Sequence, residues 1–272
     1  MAGTLSMTLR TRLPAGLMGA AIRAVYPRVE PELARLHSYA PRGGTAVDVG
    51  AWYGPWTRRL RRLADRVVAL EPAAELAELV AEAYPDVRVV RAAASDHAGT
   101  ATLHLPEGGA AVGTSSVEHG DGRPVLVPRV TVDGLELTDV RFMKIDVEGH
   151  ELAVLRGAER TIRRDAPLLL VEVEERIQPV GPILALLRGW GYRPYVMPRG
   201  RWLPLDGFDL VAHQRAAVGR VRQSFARRLV APWPRYVNLV LFKPEPRGPA
   251  TREHEPREHE PRGPQARAPE TR

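Results

Sequence analysis

The chain has 272 residues, 44% of them hydrophobic and 26% charged, a composition that excludes a disordered, collagen-like or coiled-coil protein. The absence of cysteine removes disulfides, thiolate zinc sites, CxxC redox chemistry and cysteine nucleophiles together. The net charge of +7 is nearly all arginine, Lys144 and Lys243 being the lysines, which fits the codon bias of a GC-rich genome better than a nucleic-acid footprint.

At the N-terminus, Arg10 and Arg12 precede an apolar stretch from Leu13 to Ile22, as in a signal peptide. Pro14, Gly16 and Gly19 interrupt it, and no small-residue cleavage site follows. Leu17, Met18, Ala21, Ile22, Val25 and Tyr26 share one helical face, which predicts an amphipathic helix instead. Residues 1–41 are therefore read as an N-terminal helical segment. No apolar run reaches the roughly 18 residues needed to span a bilayer, so a soluble, cytoplasmic protein is expected.

Residues 42–243 read as one domain. Thr45–Val49 is a buried strand ending in Gly50. A helix from Trp56 to Leu63, a strand Arg66–Leu70, a helix Ala73–Ala83 and a strand Val87–Ala92 follow. This alternation predicts βαβ units and a parallel sheet. Thr100–Leu105 and Val125–Val132 read as extra strands or a hairpin over the sheet edge. Val140–Ile145 is the next strand, and His150–Arg164 a helix with Leu152, Leu155, Ala158 and Ile162 inward. A strand Leu168–Val173, a helix Pro182–Trp190 and strands Tyr192–Met197 and Tyr236–Phe242 complete the domain. From Pro244 to Arg272 the chain is dominated by Arg, Glu, His and Pro, with REHEP twice in tandem; it offers no apolar face, so 244–272 is expected to be a disordered tail.

The chemistry gathers at strand ends. Asp48-Val-Gly50-Ala51-Trp-Tyr-Gly54 closes the first strand, where a doubly wound sheet binds its ligand. Glu71 ends the second strand, 21 residues after Gly50, where a carboxylate meets a ribose diol. The spacing is G-x-x-x-G rather than G-x-G-x-x-G, and Asp48 would repel a pyrophosphate. A ligand with a cationic amino-acid end and no phosphate fits better, which favours S-adenosylmethionine over NAD.

VDVGAWYGPWT (Val47–Thr57), ALEP (Ala69–Pro72), AAASDHAGTATL (Ala92–Leu103) and above all MKIDVEGHELAVLRGA (Met143–Ala158) resemble the FkbM-type S-adenosylmethionine-dependent methyltransferases, over about Arg42 to Lys243. The resemblance implies an α/β fold of the class I methyltransferase kind, a Rossmann-like doubly wound sheet of seven strands with the last antiparallel. It implies methyl transfer to a hydroxyl oxygen of a small metabolite, sugar or natural product. Carried over by position, Asp48, Gly50, Ala51 and Gly54 match the cofactor loop and Glu71 the ribose-binding acid. Ser95 and Asp96 match the loop near the adenine, and Asp146 the carboxylate beside the methionine moiety. Trp52 stands where the family usually carries Asn.

A hydroxyl acceptor must lose a proton, and His150 or Glu148, beside the hinge residue Gly149, is the expected base. Glu172 and Glu174 lie two apart, so they share a face. With Asp146 they offer oxygen ligands to a divalent ion, although a metal-free site is the favoured reading. In residues 211–230, Val211, Val218, Val221, Phe225 and Leu229 form an apolar stripe, with Arg215, Arg220, Arg222, Arg227 and Arg228 around it. That basic segment suggests the alternative of an RNA methyltransferase gripping phosphates; a nucleic-acid partner is not favoured, because no aromatic-interleaved basic patch accompanies it.

Overall fold

A computed structural model describes residues 15–105, 122–220 and 235–246. After helices α1 (Ala15–Val25) and α2 (Pro31–Ala34), the strands of the main sheet alternate with helices. They are β1 (Thr45–Val49), α3 (Pro55–Leu60), β2 (Arg66–Leu70), α4 (Ala74–Ala83) and β3 (Arg88–Val90). After the short β4 (Ala93–Ala94), a hairpin of β5 (Gly99–Leu105) and β6 (Arg123–Val130) intervenes. Then come β7 (Val140–Ile145), α5 (Glu151–Arg156), α6 (Glu159–Asp165) and β8 (Leu168–Glu172). The chain continues through α7 (Val180–Gly189), β9 (Tyr192–Val196), β10 (Leu203–Pro204), α8 (Leu210–Ala217) and β11 (Leu239–Pro244).

The main sheet has the order β10-β9-β11-β8-β7-β1-β2-β3, and β4-β6-β5 form a second, smaller sheet. β1, β2, β3, β7 and β8 are parallel neighbours, whereas β11 runs antiparallel between β8 and β9. The expected antiparallel last strand is present, but the main sheet has eight strands among the described residues, not seven. The addition is β10, a two-residue antiparallel edge on β9. Its Pro204 suits an edge, where no ladder donor is needed, and two residues make no apolar run to detect.

Strict alternation builds a core on each face. Val47, Val49, Val68, Leu70, Met143, Ile145, Leu169, Val171, Val240 and Phe242 pack on one side with Val154, Leu155 and Ile162 of α5–α6 and Ile183 and Leu187 of α7. Ala46, Val67, Ala69, Phe142, Leu170, Leu239 and Leu241 pack on the other, against Trp56 and Leu60 of α3, Val80 of α4, and Leu33 and Leu36. A third cluster, with Tyr53, Leu76, Ala93, Leu103 and Val127, lies under the hairpin and takes in Met18 and Ile22 of α1.

Several boundaries differ from expectation. The strand read over 87–92 ends at Val90, because Ala93–Ala94 leave to join β6. The helix read over 150–164 breaks into α5 and α6. A Cβ on Gly157 would lie 1.9 Å from the Ser95 carbonyl oxygen, so the two backbones touch there. The Asp133 carboxylate then starts α6 afresh by accepting from the Arg160 and Thr161 amides at 2.9 and 2.8 Å. On α1, Met18 and Ile22 pack inward as expected, but Leu17 is 59% exposed. On α8 the buried residues are Leu210 and Gln214, not the Val211–Val218 stripe; residues 221–234 lie outside the described ones. The expected tail also lies outside them from residue 247; Pro244 ends β11, and the Glu245 amide still donates to the Gly191 carbonyl at 2.8 Å.

Candidate active site

The C-terminal ends of β1, β2, β7 and β8 meet in one mouth. Gly50 turns the chain after β1 with φ 78°, and a Cβ there would sit 1.8 Å from the Asp146 carbonyl oxygen. Only glycine lets this loop press onto the end of β7. Gly54 is also left-handed, φ 77°, directly before α3, and Ala51 is buried between them. Glu71 reaches across from β2. Its Oε2 accepts from the Trp52 amide at 2.8 Å and its Oε1 from the Ala73 amide at 2.9 Å. Burial pushes its carboxyl up to about 7, partly offset by those amides.

Asp48 is fully buried beneath the loop. Its Oδ2 accepts from Thr57 Oγ1 of α3 at 2.5 Å, and its Oδ1 lies 3.9 Å from Lys144 Nζ. Lys144 pairs in register with Asp48, donates to the Gly50 carbonyl at 3.0 Å, and contacts Asp146 at the same distance. Burial works against its ammonium, but the Asp146 and Asp48 carboxylates outweigh that and raise it above the usual lysine range. Burial likewise works against the Asp146 carboxylate. The Lys144 charge and a hydrogen bond with Glu172 prevail and hold it low.

Around this ion pair sit further acids. Oxygens of Asp146, Glu148 and Glu172 all lie within 4.8 Å of one another, a spacing that oxygen ligands of a divalent ion could adopt. Glu148 has left-handed backbone, φ 52°, and is pushed up to about 8 by burial and by the charges of Asp146 and Glu174. Glu172 is raised by burial, then by Asp146 and Glu148. Asn238 of the segment before β11 donates to both Glu172 and Glu174, and Arg176 pairs with Glu174. Glu151, the first residue of α5, pins the loop above: its Oε1 accepts from the Val147 and Gly149 amides at 3.0 and 3.2 Å, and Gln178 donates to its Oε2.

His150, Ser95 and Asp96 form a separate group. His150 is buried, with Nε2 2.9 Å from Ser95 Oγ. Ser95 Oγ also donates to Asp96 Oδ1 at 3.1 Å, which His97 Nδ1 approaches at 2.5 Å. The two expected bases therefore have different surroundings: Glu148 shares the acidic mouth, and His150 braces Ser95.

Sequence reasoning missed a contribution from the N-terminal segment. Tyr26 donates to Glu30 Oε1 at 2.8 Å, and Trp56 Nε1 donates to Glu30 Oε2 at 2.8 Å. The Tyr26 ring lies 5.6 Å from that of Trp52, itself held at φ 51°. The segment is anchored twice: Arg23 donates to the Tyr53 carbonyl at 3.1 Å, and buried Arg235 grips both Glu32 oxygens at 2.9 Å. Lys144 in an apolar strand was a signal available in the sequence; Tyr26 and Glu30 gave none.

The sequence profile of the methyltransferase FkbM domain matches residues 46–194, the stretch that carries the glycine loop, Glu71 and the acids of β7 and β8. The chain belongs to the FkbM methyltransferase family. The family is S-adenosylmethionine-dependent, and the residues at this site fit that cofactor. A glycine cradle lies beside the Glu71 carboxylate, which could accept from a ribose diol, the acids that follow suit its cationic centres, and no phosphate has to be accommodated. Among solved structures, the FkbM methyltransferase of Methylobacillus flagellatus KT is similar at 16% identity and a TM-score of 0.49, over 78% of this chain and 47% of that one. This FkbM chain thus spans under half the length of that protein. A TehB-like methyltransferase from Corynebacterium glutamicum is similar at 13% identity and a TM-score of 0.42, over 79% of this chain and 88% of that one. An O-methyltransferase from Thermotoga maritima is similar at 12% identity and a TM-score of 0.38, over 79% and 64%. No curated protein matches the chain. Among the described residues, no helix is long and apolar enough to cross a membrane.

Proposed function

We propose that this family member transfers the methyl group of S-adenosylmethionine to a hydroxyl oxygen of a small cytoplasmic metabolite, on a Rossmann-like class I scaffold. The observation that carries the reading is the acidic mouth of Asp146, Glu148 and Glu172 beside the Gly50 loop. Gly50, Ala51, Gly54 and Glu71 hold the cofactor's amino-acid and ribose parts, with Asp48 buried beneath them as the support of the loop; Ser95 and Asp96 hold its adenine side, and Asp146 its methionine end. The cofactor, when bound, supplies an electrophilic methyl on a sulfonium. The chain must then orient the acceptor, exclude water and remove one proton.

Glu148 is the base in this reading. Its carboxyl, raised to about 8, is matched to taking a proton near neutral pH, and it shares its mouth with Asp146. His150, engaged with Ser95, keeps the adenine loop in place. The metal-free reading draws on Lys144, which already gives Asp146 a cation. The RNA alternative rests on arginines that lie mostly outside the described residues; Arg215 of α8 lies 3.8 Å from Glu175.

Glu148→Gln should cut turnover about 100-fold while leaving calorimetric S-adenosylhomocysteine affinity within about twofold. His150→Ala should do the reverse, weakening cofactor binding more than the chemical step. Radiolabelled methyl transfer into a hydroxyl-bearing metabolite library measures turnover. Label appearing only in RNA would overturn the small-molecule reading, and full activity of Glu148→Gln would remove Glu148 as the base.

A further inference from the structure

Tyr26 and Glu30 lie outside the residues matched by the family profile, yet Tyr26 packs on Trp52 of the Gly50 loop and holds Glu30 beside it. Burial raises the proton affinity of both, and the Asp146 charge adds to it. Trp52, 5.6 Å from Tyr26, is tied through its backbone amide to Glu71 at the end of β2. The Tyr26–Trp52 pair therefore sits on a loop whose Trp52 amide is tied to Glu71, the ribose-side acid of this reading, and whose Gly50 presses on Asp146, the methionine-side acid. In S-adenosylmethionine the sulfur joins those two halves.

Two features of Trp52 point to a ligand. A bulky side chain at φ 51° is strained, a conformation that persists where surroundings or function demand it. Its indole Nε1–H is shut off from solvent without an acceptor among the described residues, a donor suited to a ligand oxygen. The Glu30 carboxylate is fixed next to this pair, its Oε1 accepting from Tyr26 and its Oε2 from Trp56. Ring faces and a carboxylate together are the usual surroundings of an organic cation.

We infer that the N-terminal segment completes the cofactor site as a cation-selective wall, with Tyr26, Trp52 and Glu30 facing the sulfonium; this rests on the cofactor reading above. Methyl loss leaves a neutral thioether, so the wall favours the substrate form over the product form. It thereby assists product release.

Calorimetry at pH 8, with Glu30 ionised, tests this using S-adenosylmethionine and S-adenosylhomocysteine separately. Trp52→Asn removes the ring yet tolerates left-handed backbone; Glu30→Gln keeps shape and removes charge. Each should weaken S-adenosylmethionine about fivefold to tenfold and S-adenosylhomocysteine less than about twofold. Tyr26→Phe, which keeps the ring, should preserve most of the preference. Equal losses for both ligands, or none in either variant, would overturn the inference. If Trp52→Asn fails to fold, Glu30→Gln alone decides. Unaltered protein that binds neither ligand would refute the cofactor reading instead.

Discussion

Lys144 lies opposite Asp48 in the β1–β7 register and contacts Asp146, so one buried ammonium serves two carboxylates and the Gly50 carbonyl. Removing one partner of such a buried group strands the others, which typically costs about 3–5 kcal/mol. Lys144→Met should therefore lower unfolding free energy by about that amount in urea titrations. Adding Asp48→Leu should recover part of the loss, since it removes one stranded charge; a single variant of native stability would contradict this account. Asp48 and Glu71 were legible in the sequence because both follow apolar strand runs at a telling offset. The Asp48–Lys144 partnership was not, because register between strands nearly 100 residues apart leaves no local mark. Glu151 was hidden for a different reason: a glutamate in a first helical turn is ordinarily explained by the helix alone.

The segments that carry continuous apolar residues, β1, β2, β7 and β8, were read almost to their observed ends, because burial on both faces writes itself into the sequence. The errors fall where tertiary contact decides: the α5–α6 break made by Gly157 against Ser95, and β10, which exists only as an edge on β9. α8 was misread most, since its important residue is polar. Gln214 donates to the Val173 and Val237 carbonyls at 2.7 and 3.0 Å and accepts from the Glu175 amide at 2.9 Å. It thus splices α8 to the segments that leave β8 and enter β11, beside Glu172 and Glu174. Gln214→Leu would leave those backbone groups buried and unsatisfied, at about 1–3 kcal/mol each. Thermal melts should show a fall of several degrees, and an unchanged midpoint would mean that water replaces the side chain.

Across the whole molecule, the acids concentrated at one end of the sheet govern how stability responds to pH. Burial raises Glu30, Glu71 and Glu151 to about 7 and Glu148 to about 8, against an ordinary value of 4.5. Between those limits the folded chain holds more protons than the unfolded one. The stabilisation is complete below about pH 4.5 and is lost as pH rises through 7 to 8. Asp146 and Asp165, held low, lose their contribution only in stronger acid. The melting temperature should therefore drop between pH 5 and pH 8, and Glu148→Gln should flatten the decline; a rise over that range would contradict the placement of these acids. The Glu32–Arg235 pair has a consequence of another kind. Its partners are 203 residues apart, and the strand that follows Arg235 must slot between β8 and β9. A growing chain can assemble β1, β2, β7 and β8 early. The clamp on Glu32 waits for Arg235, so a ribosome-bound chain halted before Arg235 would have the Gly50 loop and Glu71 in place without the tether that holds α2.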